Sequence, residues 1–318
     1  MKVTCVWQSE QHSAFTDLIY FEHRWWCAFR EGSTHMSLDG GLRIVISEDG
    51  DVWQPQALIH WQGGDLRDPK FSIRSDGQLL LTAGMRWCTP VDARESFYSI
   101  GFLYDLNSHV WQEPIMDDLG KDTWRWATTR HKKNVYSVGY EGRDSAGCLY
   151  QSTDGLYWQV VSTPFFPPSV CYTNESSLAF DDKSQAICLT RRDARGGAKA
   201  LLGKAEAPYT QWHWKALNIP VGGQKLLRLS NGEWIAGFRQ INYRKGTAKT
   251  VIQKLDLVKG RLRPWLTLPS GGDCSYVGMV EQAGYLRVSY YSSHLDAQAR
   301  IYLAVIPLTT KKLSLRFR

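Results

Sequence analysis

Turns that end in tryptophan recur along the chain and constrain its fold more than any other feature. The segments Ser47–Trp53 and Ser152–Trp158 share the pattern S-x-D-G-x-x-W, and each follows a run typical of a β-strand. In such a turn the Ser and Asp side chains bond backbone N–H groups, Gly takes a positive φ and Trp packs onto the sheet. Weaker copies extend the series, so tryptophans end turns at positions 53, 111, 158, 212 and 265. A repeat of about 50 residues built from strands and turns predicts propeller blades.

Hairpins set the number of blades. Six are predicted, at Tyr20–Trp25, Ile73–Leu79, Arg130–Val135, Phe180–Gln185, Leu229–Trp234 and Glu281–Leu286. The sequence therefore predicts an all-β, six-bladed propeller. Its sixth repeat has no closing tryptophan turn, and we expect the first strand, Lys2–Trp7, to complete that blade and close the ring without a long exposed edge. No Pro/Ser-rich linker interrupts the series, so we expect a single domain over residues 1–318.

Charge and composition exclude several classes of function. The net charge is +7, but the basic residues are spread along the chain, which predicts no nucleic-acid partner and favours a basic cleft for a small acidic ligand. No apolar run reaches signal-peptide or membrane-span length, so we expect a soluble, cytoplasmic protein that binds no membrane. Seven cysteines without C-x-x-C and eight dispersed histidines predict reduced thiols, no bound metal and no cofactor.

The strands that follow the hairpins end on polar or aromatic side chains. An adjacent Arg30 and Glu31, met once, is typical of a solvated surface pair. The pattern recurs, however, and aligning the six strand ends places one set of residues in the same position: Arg30, Glu141, Arg192, Arg239 and Tyr291. Equivalent strand ends of a propeller surround one end of the central axis, so these side chains are expected to converge there.

With these features the chain resembles the sialidase (neuraminidase) superfamily, six-bladed propellers with Asp-box, or BNR, repeats. The turn pattern is similar to the family's S-x-D-x-G-x-T-W, but it is one residue shorter and has no Thr. Further resemblance lies in Leu66–Pro69 (the R-I-P arginine motif), Asn174–Glu175 and Arg191–Arg192 (the glutamate and second arginine), Arg239 (the third arginine) and Asp273–Tyr276 (the tyrosine nucleophile). Arg67 falls in the second repeat, whereas the family's motif opens the first, where this chain has Phe15–Leu18.

The resemblance implies an exo-glycoside hydrolase that acts on an acidic sugar, either sialic acid or a related ulosonic acid. Arginines would bind the carboxylate, and Tyr276 would be the nucleophile with Glu175 taking its proton. The acid would be Asp68 or Asp17, with Asp65 and Asp92 behind them. The expected substrate-binding residues are Arg30, Glu31, His35, Arg67, Glu141, Arg191, Arg192, Arg239, Tyr291 and His294.

Simpler interpretations stay open. Arg67 and Asp68 can form an internal ion pair, Tyr276 and Tyr291 can be ordinary strand aromatics, and the histidines can cap loops instead of contacting sugar hydroxyls. Propellers also host binding functions, so a non-catalytic glycan-binding protein is one alternative. Another is a glycosidase or lyase for a different acidic sugar, such as a uronic acid.

Overall fold

Strands make up almost all of the regular structure. The computed structural model describes residues 1–62, 64–88, 95–141, 146–170, 172–193 and 197–308. In chain order the strands are β1 (Lys2–Trp7), β2 (His12–Phe21), β3 (Arg24–Gly32), β4 (Gly41–Ser47), β5 (Gln54–Ile59), β6 (Gly64–Ile73), β7 (Leu79–Cys88), β8 (Glu95–Asp105), β9 (Val110–Trp111), β10 (Trp124–His131), β11 (Asn134–Tyr140), β12 (Cys148–Ser152), β13 (Gln159–Ser162), β14 (Thr173–Phe180), β15 (Ala186–Arg192), β16 (Leu201–Ala205), β17 (His213–Ala216), β18 (Lys225–Arg228), β19 (Trp234–Asn242), β20 (Thr247–Asp256), β21 (Arg261–Thr267), β22 (Cys274–Gln282), β23 (Tyr285–Ser292) and β24 (Arg300–Pro307). Within these ranges the only helical segment is the 3₁₀ turn Asp118–Gly120, and no described helix is long and apolar enough to cross a membrane.

The strands form six antiparallel four-stranded sheets arranged in a ring. Blades 1 to 5 are β2–β5, β6–β9, β10–β13, β14–β17 and β18–β21, and blade 6 contains β22, β23, β24 and β1. The first strand of each blade contacts the first strand of the next, and β22 contacts β2, which closes the ring. In blade 6, β1 pairs with β24 in the register Lys2↔Val305. The six-bladed propeller closed by its N-terminal strand is therefore confirmed.

The tryptophan turns connect the third and fourth strands of a blade, and their side chains act as the sequence predicts. Asp49 Oδ1 accepts hydrogen bonds from the backbone N–H groups of Asp51 and Val52 at 2.8 and 2.9 Å, and Ser47 Oγ accepts one from Gly50, whose φ is 84°. Trp53 Nε1 donates to the carbonyl of Gly50 at 3.2 Å. The turn Ser152–Trp158 repeats the Ser and Asp contacts.

A β-bulge recurs at one position of the innermost strand of every blade. In blade 1, for example, Ala14 pairs with Arg30 but Asp17 pairs with Ala28, so one extra residue is inserted. Equivalent shifts occur in blades 2, 3, 4 and 6. In blade 5 the N–H of Arg239 bonds Gly222, whereas Lys225 pairs with Gly237. The first residues of the six bulges are Phe15, Asp68, Trp126, Asn174, Gly223 and Tyr276. Because a bulge redirects its side chains, each blade presents irregular positions toward the axis.

Apolar side chains fill the space between neighbouring blades. Ile44 of blade 1 and Leu81 of blade 2, for example, are fully buried in one cluster. Burying a side chain of this size contributes about 1.5–3 kcal/mol. Among the described cysteines, Cys27, Cys188 and Cys274 are buried, whereas Cys148 is half-buried and Cys5 is exposed. The functional side chains described below therefore project from a closely packed framework.

Candidate functional site

Two of the six bulges bring Tyr276 and Glu175 into contact. Tyr276 is the first residue of the blade 6 bulge and has a φ of 50°, while Glu175 is the second residue of the blade 4 bulge. The Tyr276 hydroxyl donates to Glu175 Oε1 at 2.6 Å, and the N–H of Gly223 donates to Oε2 at 2.7 Å. Burial, and then the charge of Glu175, raise the pKa of Tyr276 above its usual range. The hydroxyl is thus protonated at rest, with a carboxylate in place to accept its proton.

Two arginines flank this pair. Arg191 Nη1 donates to Glu175 Oε1 at 2.8 Å and to the Tyr276 hydroxyl at 3.2 Å. The guanidinium of Arg239 lies over the Tyr276 ring, with its carbon 5.4 Å from the ring centre. A Cβ added to Gly222 would lie 3.7 Å from the guanidinium carbon of Arg191 and 3.7 Å from Nε of Arg239, so both arginines border one glycine. We call Glu175, Arg191, Arg239 and Tyr276 the axial cluster.

Arg67 and Asp68 approach the axial cluster from blade 2. Arg67 Nη1 donates to Asp65 Oδ2 at 2.8 Å and to the His35 carbonyl at 2.9 Å, and its guanidinium lies over the Phe15 ring at 4.7 Å. Its charge interacts with Tyr276 and, more strongly, with Asp68. The pair therefore does not form a simple internal ion pair, because Arg67 directs its hydrogen bonds to Asp65 and to the loop.

Asp68 is a buried carboxyl with unused hydrogen-bonding capacity. It is the first residue of its bulge, with a φ of 52°, and its Oδ1 has no hydrogen-bond partner in the described part of the chain. Burial raises the pKa of Asp68 to about 6, against the opposing charges of Arg67 and Lys70, and the charge of Glu175 adds to the increase. A carboxyl with this pKa can give or take a proton near neutral pH.

Asp17, the other predicted acid, is already engaged by the framework. It is fully buried, its Oδ2 accepts the N–H of Phe71 at 2.8 Å, and its Oδ1 lies 3.2 Å from Nζ of Lys225. Asp65 is likewise occupied by Arg30 and Arg67, and Asp92 lies outside the described residues. Of the predicted acids that the structure describes, Asp68 is the one whose environment suits that role.

A second group of polar side chains surrounds Asp273, which contacts Arg239 of the axial cluster. The Tyr291 hydroxyl donates to Asp273 Oδ1 at 2.6 Å, and Arg239 Nη1 lies 3.5 Å from the same oxygen. Nitrogens of His35 and His12 lie 2.7 and 3.2 Å from Oδ2. Burial opposes the charge, but hydrogen bonds from the two histidines and Tyr291 outweigh it and hold the pKa of Asp273 well below its usual range. His12 was not predicted as a site residue.

The two histidines and Asp273 are also close enough to share a cation. One ligand atom from each of His12, His35 and Asp273 lies within 4.8 Å of the others. A metal-bound imidazole usually donates its second N–H to an acceptor, which fixes the ring. Nδ1 of His12 is buried and has no partner among the described residues. The donor set therefore fits hydrogen bonding to a carboxylate better than it fits a metal.

Arg30 occupies the same strand position as Arg239 but does not join the cluster. Its side chain is completely buried and donates to Asp65 Oδ1 at 2.6 Å, to the Thr34 carbonyl at 2.8 Å and to the Ser37 carbonyl at 2.9 Å. Every terminal nitrogen is thus engaged in holding the loop that follows β3. Of the residues expected to converge, Arg239 and Tyr291 both contact Asp273, whereas Arg30 turns into its own loop.

Four other predicted residues lie elsewhere. Glu31 accepts hydrogen bonds from the Trp7 indole at 2.7 Å and from Arg43 at 2.9 Å, at the edge of blade 1. Arg192 lines a different cavity, next to Trp212. Glu141 is exposed, and the register puts Gly139 in the aligned position, so its assignment there was wrong. His294 lies 2.9 Å from Ser292 Oγ, with its ring 5.2 Å from the Tyr302 ring.

The sequence did not point to two residues that belong near the cluster. Tyr140, at the end of β11, interacts with the charges of Glu175, Asp68 and Tyr276, and burial is the main reason that its pKa is raised. Lys70, directly after the blade 2 bulge, lies 4.9 Å from the Trp126 ring centre and donates to a backbone carbonyl at 3.1 Å. No repeat signal in the sequence marks either residue, because the bulges become visible only in the structure.

Comparison with known proteins supports the fold of this chain but assigns it to no family. No protein-family model and no curated protein matches the chain. Solved structures do: a protein of unknown function from Dyadobacter fermentans DSM 18053 aligns over 97% of this chain and 98% of its own, with a TM-score of 0.82 and 17% identity.

Two further structures carry an activity in their names. The Penicillium chrysogenum alpha-L-arabinanase complexed with arabinobiose aligns over 97% of this chain and 98% of its own, with a TM-score of 0.67 and 12% identity. The Trypanosoma rangeli sialidase in complex with the inhibitor DANA aligns over 93% and 55%, with a TM-score of 0.67 and 11% identity. The chain therefore has the six-bladed propeller fold that is found in these glycosidases.

Proposed function

We propose that this protein is an exo-acting glycoside hydrolase for an acidic sugar of the sialic or ulosonic acid class. One observation carries the proposal: the 2.6 Å hydrogen bond from Tyr276 to Glu175, with Arg191 bound to both residues. A buried tyrosine hydroxyl needs a hydrogen-bond partner, as Tyr291 has in Asp273 at 2.6 Å, but packing alone does not need a carboxylate that an arginine bonds together with the hydroxyl itself. A nucleophile does, because the base takes the proton as the oxygen attacks.

The charges near the tyrosine suit a substrate that carries a carboxylate. A carboxylate nucleophile would be repelled by such a sugar, whereas a neutral tyrosine is not. Arg191 and Arg239 lie beside Tyr276, and Arg67 is close enough to Tyr276 for the charges of these two side chains to interact. Nε of Arg239 has no partner among the described residues, so the guanidinium retains donor capacity. Guanidinium groups bind carboxylates through paired charge-assisted hydrogen bonds.

Asp68 is assigned the acid role. Tyr276 Oη would form a bond to the anomeric carbon as the glycosidic bond breaks, its proton passing to Glu175. Asp68, protonated near and below its pKa of about 6, would give its proton to the leaving oxygen. Water would then attack the anomeric carbon and give a proton to Asp68. The bond to Tyr276 would break as Glu175 returns its proton to the tyrosine oxygen. This sequence returns every group to its starting state and predicts retention of anomeric configuration.

The test compares the wild type with Tyr276→Phe, which deletes the oxygen and keeps the ring. We expect the wild type to hydrolyse at least one fluorogenic sialoside or other ulosonide. Turnover should fall by about 1000-fold or more in the variant, while calorimetric binding of the free acidic sugar persists.

Tyr290→Phe is the matched control, because it removes another tyrosine hydroxyl from blade 6, one that bonds the Pro269 carbonyl at 3.0 Å. That variant should keep its activity. Full activity in Tyr276→Phe would refute the assigned nucleophile. Binding of acidic sugars without turnover on sialosides, ulosonides or uronides would instead identify a glycan-binding propeller. Turnover of uronides alone would show that the substrates are glycosides of uronic acids.

A further inference from the structure

A cleft that contains no residue of the axial cluster has a lining that the proposed hydrolysis does not use. It has a volume of about 940 Å³ and lies at the edge of blade 1. Its walls include two indoles, Trp7 and Trp61, and the apolar side chains of Leu38 and Leu58. Leu38 and Leu58 are 41% and 38% exposed, so apolar surface faces this space.

The polar part of the lining is held rigidly. Glu31 Oε1 accepts the Trp7 indole N–H and the Ser9 hydroxyl, both at 2.7 Å, and Oε2 accepts Arg43 at 2.9 Å. The Glu31 side chain is only 7% exposed. These bonds fix the edge of the Trp7 ring and the plane of the Arg43 guanidinium. Such preorganisation reduces the entropy that a ligand loses when it binds.

The charges of the cleft indicate which ligands it excludes. The lining contains two carboxylates, Glu31 and Asp39, and one guanidinium, Arg43, and this balance disfavours an anionic sugar. A cation is disfavoured as well, because the Arg43 guanidinium already lies 5.0 Å from the Trp7 ring centre and Glu31 is fully bonded. The remaining class is an uncharged polar molecule with an apolar face.

Sugar rings have this combination, since their C–H faces pack on indoles and their hydroxyls bond to guanidinium and carboxylate groups. We propose that this cleft is a binding site for an uncharged saccharide unit, separate from the axial cluster. Trp61 supplies the packing surface; its ring lies against Gly64, where an added Cβ would be 3.2 Å from Cδ1. Arg43 and Asp39 supply donors and acceptors.

One loop connects the cleft to the axial cluster. Ser33, Ser37 and Asp39 line the cleft, whereas His35, between them, contacts Asp273 at 2.7 Å and accepts a hydrogen bond from Arg67 on its carbonyl. A glycan with an acidic end and an uncharged neighbouring unit could therefore contact both faces of this loop. Binding in the cleft requires no turnover, so it can be tested by itself.

The test is saturation-transfer NMR on the whole protein with three uncharged disaccharides, lactose, cellobiose and arabinobiose, and with N-acetylneuraminic acid for comparison. We expect at least one disaccharide to bind, and Trp61→Ala to weaken it tenfold or more. Trp265→Ala removes a half-buried indole on blade 5 and is the matched control, which should bind normally. Arg239→Ala should also leave disaccharide binding unchanged.

A second variant protects the test against misfolding of Trp61→Ala. Leu38→Trp adds volume at an exposed position and should block the cleft without removing any wall residue. The proposal is overturned if no disaccharide binds, if binding survives both Trp61→Ala and Leu38→Trp, or if it is lost in Arg239→Ala. It is also overturned if the site that depends on Trp61 accepts only the acidic sugar. None of these results depends on whether Tyr276 is a nucleophile.

Discussion

Tyr276 and Glu175 are separated by 101 residues and two blade boundaries, yet their side chains form one of the shortest described hydrogen bonds of the site, at 2.6 Å. Each residue comes from the β-bulge of its own inner strand. The contact consequently depends on the relative placement of blades 4 and 6 and on Gly223 between them, which donates to the second oxygen of Glu175.

Glu175→Gln should reduce turnover by roughly 10²–10⁴-fold, because an amide cannot take the tyrosine proton. The amide keeps nearly the same shape, so circular dichroism should remain that of the wild type. Turnover is measured with the fluorogenic substrate that the wild type accepts. The control is Glu48→Gln, an exposed glutamate, and activity in Glu175→Gln equal to that control would contradict the role of Glu175 as a base.

Asp68→Asn should stabilise the protein at neutral pH while it reduces activity. The folded-state pKa of about 6 lies above the unfolded value of 3.8, so the ionised form is the one that folding disfavours. Stability is therefore lost as pH rises from about 4 to 6, and the loss amounts to at most about 3 kcal/mol. Asparagine tolerates the φ of 52° and removes the charge. Denaturation by urea at pH 7.5 and pH 4 should show the gain only at pH 7.5; an equal gain at both would exclude this explanation.

Arg239→Ala and Arg30→Ala should have opposite effects, although the two arginines share a strand position. Removing Arg239 should weaken acidic-sugar binding by about 1.5–3 kcal/mol, the range for hydrogen bonds to a charged group, with little loss of stability. Removing Arg30 leaves the fully buried Asp65 without one of its two arginine partners and should cost about 3–5 kcal/mol of folding free energy. Calorimetry and thermal unfolding of both variants separate the two cases, and the reverse pattern would show that their roles are exchanged.

Gly223→Ala should disrupt the site more than it disrupts the fold. The φ of Gly223 is 57°, and an added Cβ would lie 2.4 Å from Cδ2 of Tyr276, so the ring or the strand must move. Gly246→Ala is a close control, since its φ is 61° and nothing lies within 4 Å of the added Cβ. Both variants incur the backbone strain of about 1 kcal/mol, but only Gly223→Ala should lose turnover. Crystal structures of the two would show whether Tyr276 is displaced.

Deletion of residues 1–7 should lower the melting temperature and promote aggregation. The deletion removes β1, exposes the edge of β24 and takes away the indole that bonds Glu31. Lys2→Ala, which loses only an exposed ion pair with Asp51, should have almost no effect. Light scattering during a thermal scan distinguishes the two, and a truncated protein that melts like the wild type would mean that closure by β1 is dispensable.

The sequence was sufficient for the fold because its turns are local. Ser47, Asp49 and Gly50 satisfy one another within four residues, so the pattern is visible without knowledge of any distant contact. The grouping of Glu175, Arg191, Arg239 and Tyr276 was expected from the resemblance to a known family, and the repeat alignment contained Arg239 alone of the four.

The remaining part of the site could not be predicted, for two physical reasons. An aligned strand position fixes where the backbone lies but not the direction of a long side chain: Arg30 turns into its own loop, where Gly32 and Gly40 leave room for its guanidinium. Contacts such as His12 with Asp273, 261 residues apart, have no local signature. The error at Glu141 has a simpler cause, since β11 ends at Tyr140 and the alignment was displaced by two residues.

The repeated bulge has a consequence for how such a protein can change its chemistry. Each inner strand resumes its regular pairing immediately after the extra residue, as Lys70 does opposite Thr82 and Gly278 opposite Ser289. The inserted residue itself makes no regular pairing, so a substitution there removes no ladder hydrogen bond from the strand on either side. In this chain the six positions hold phenylalanine, aspartate, tryptophan, asparagine, glycine and tyrosine, so one repeated backbone feature carries six different residue types.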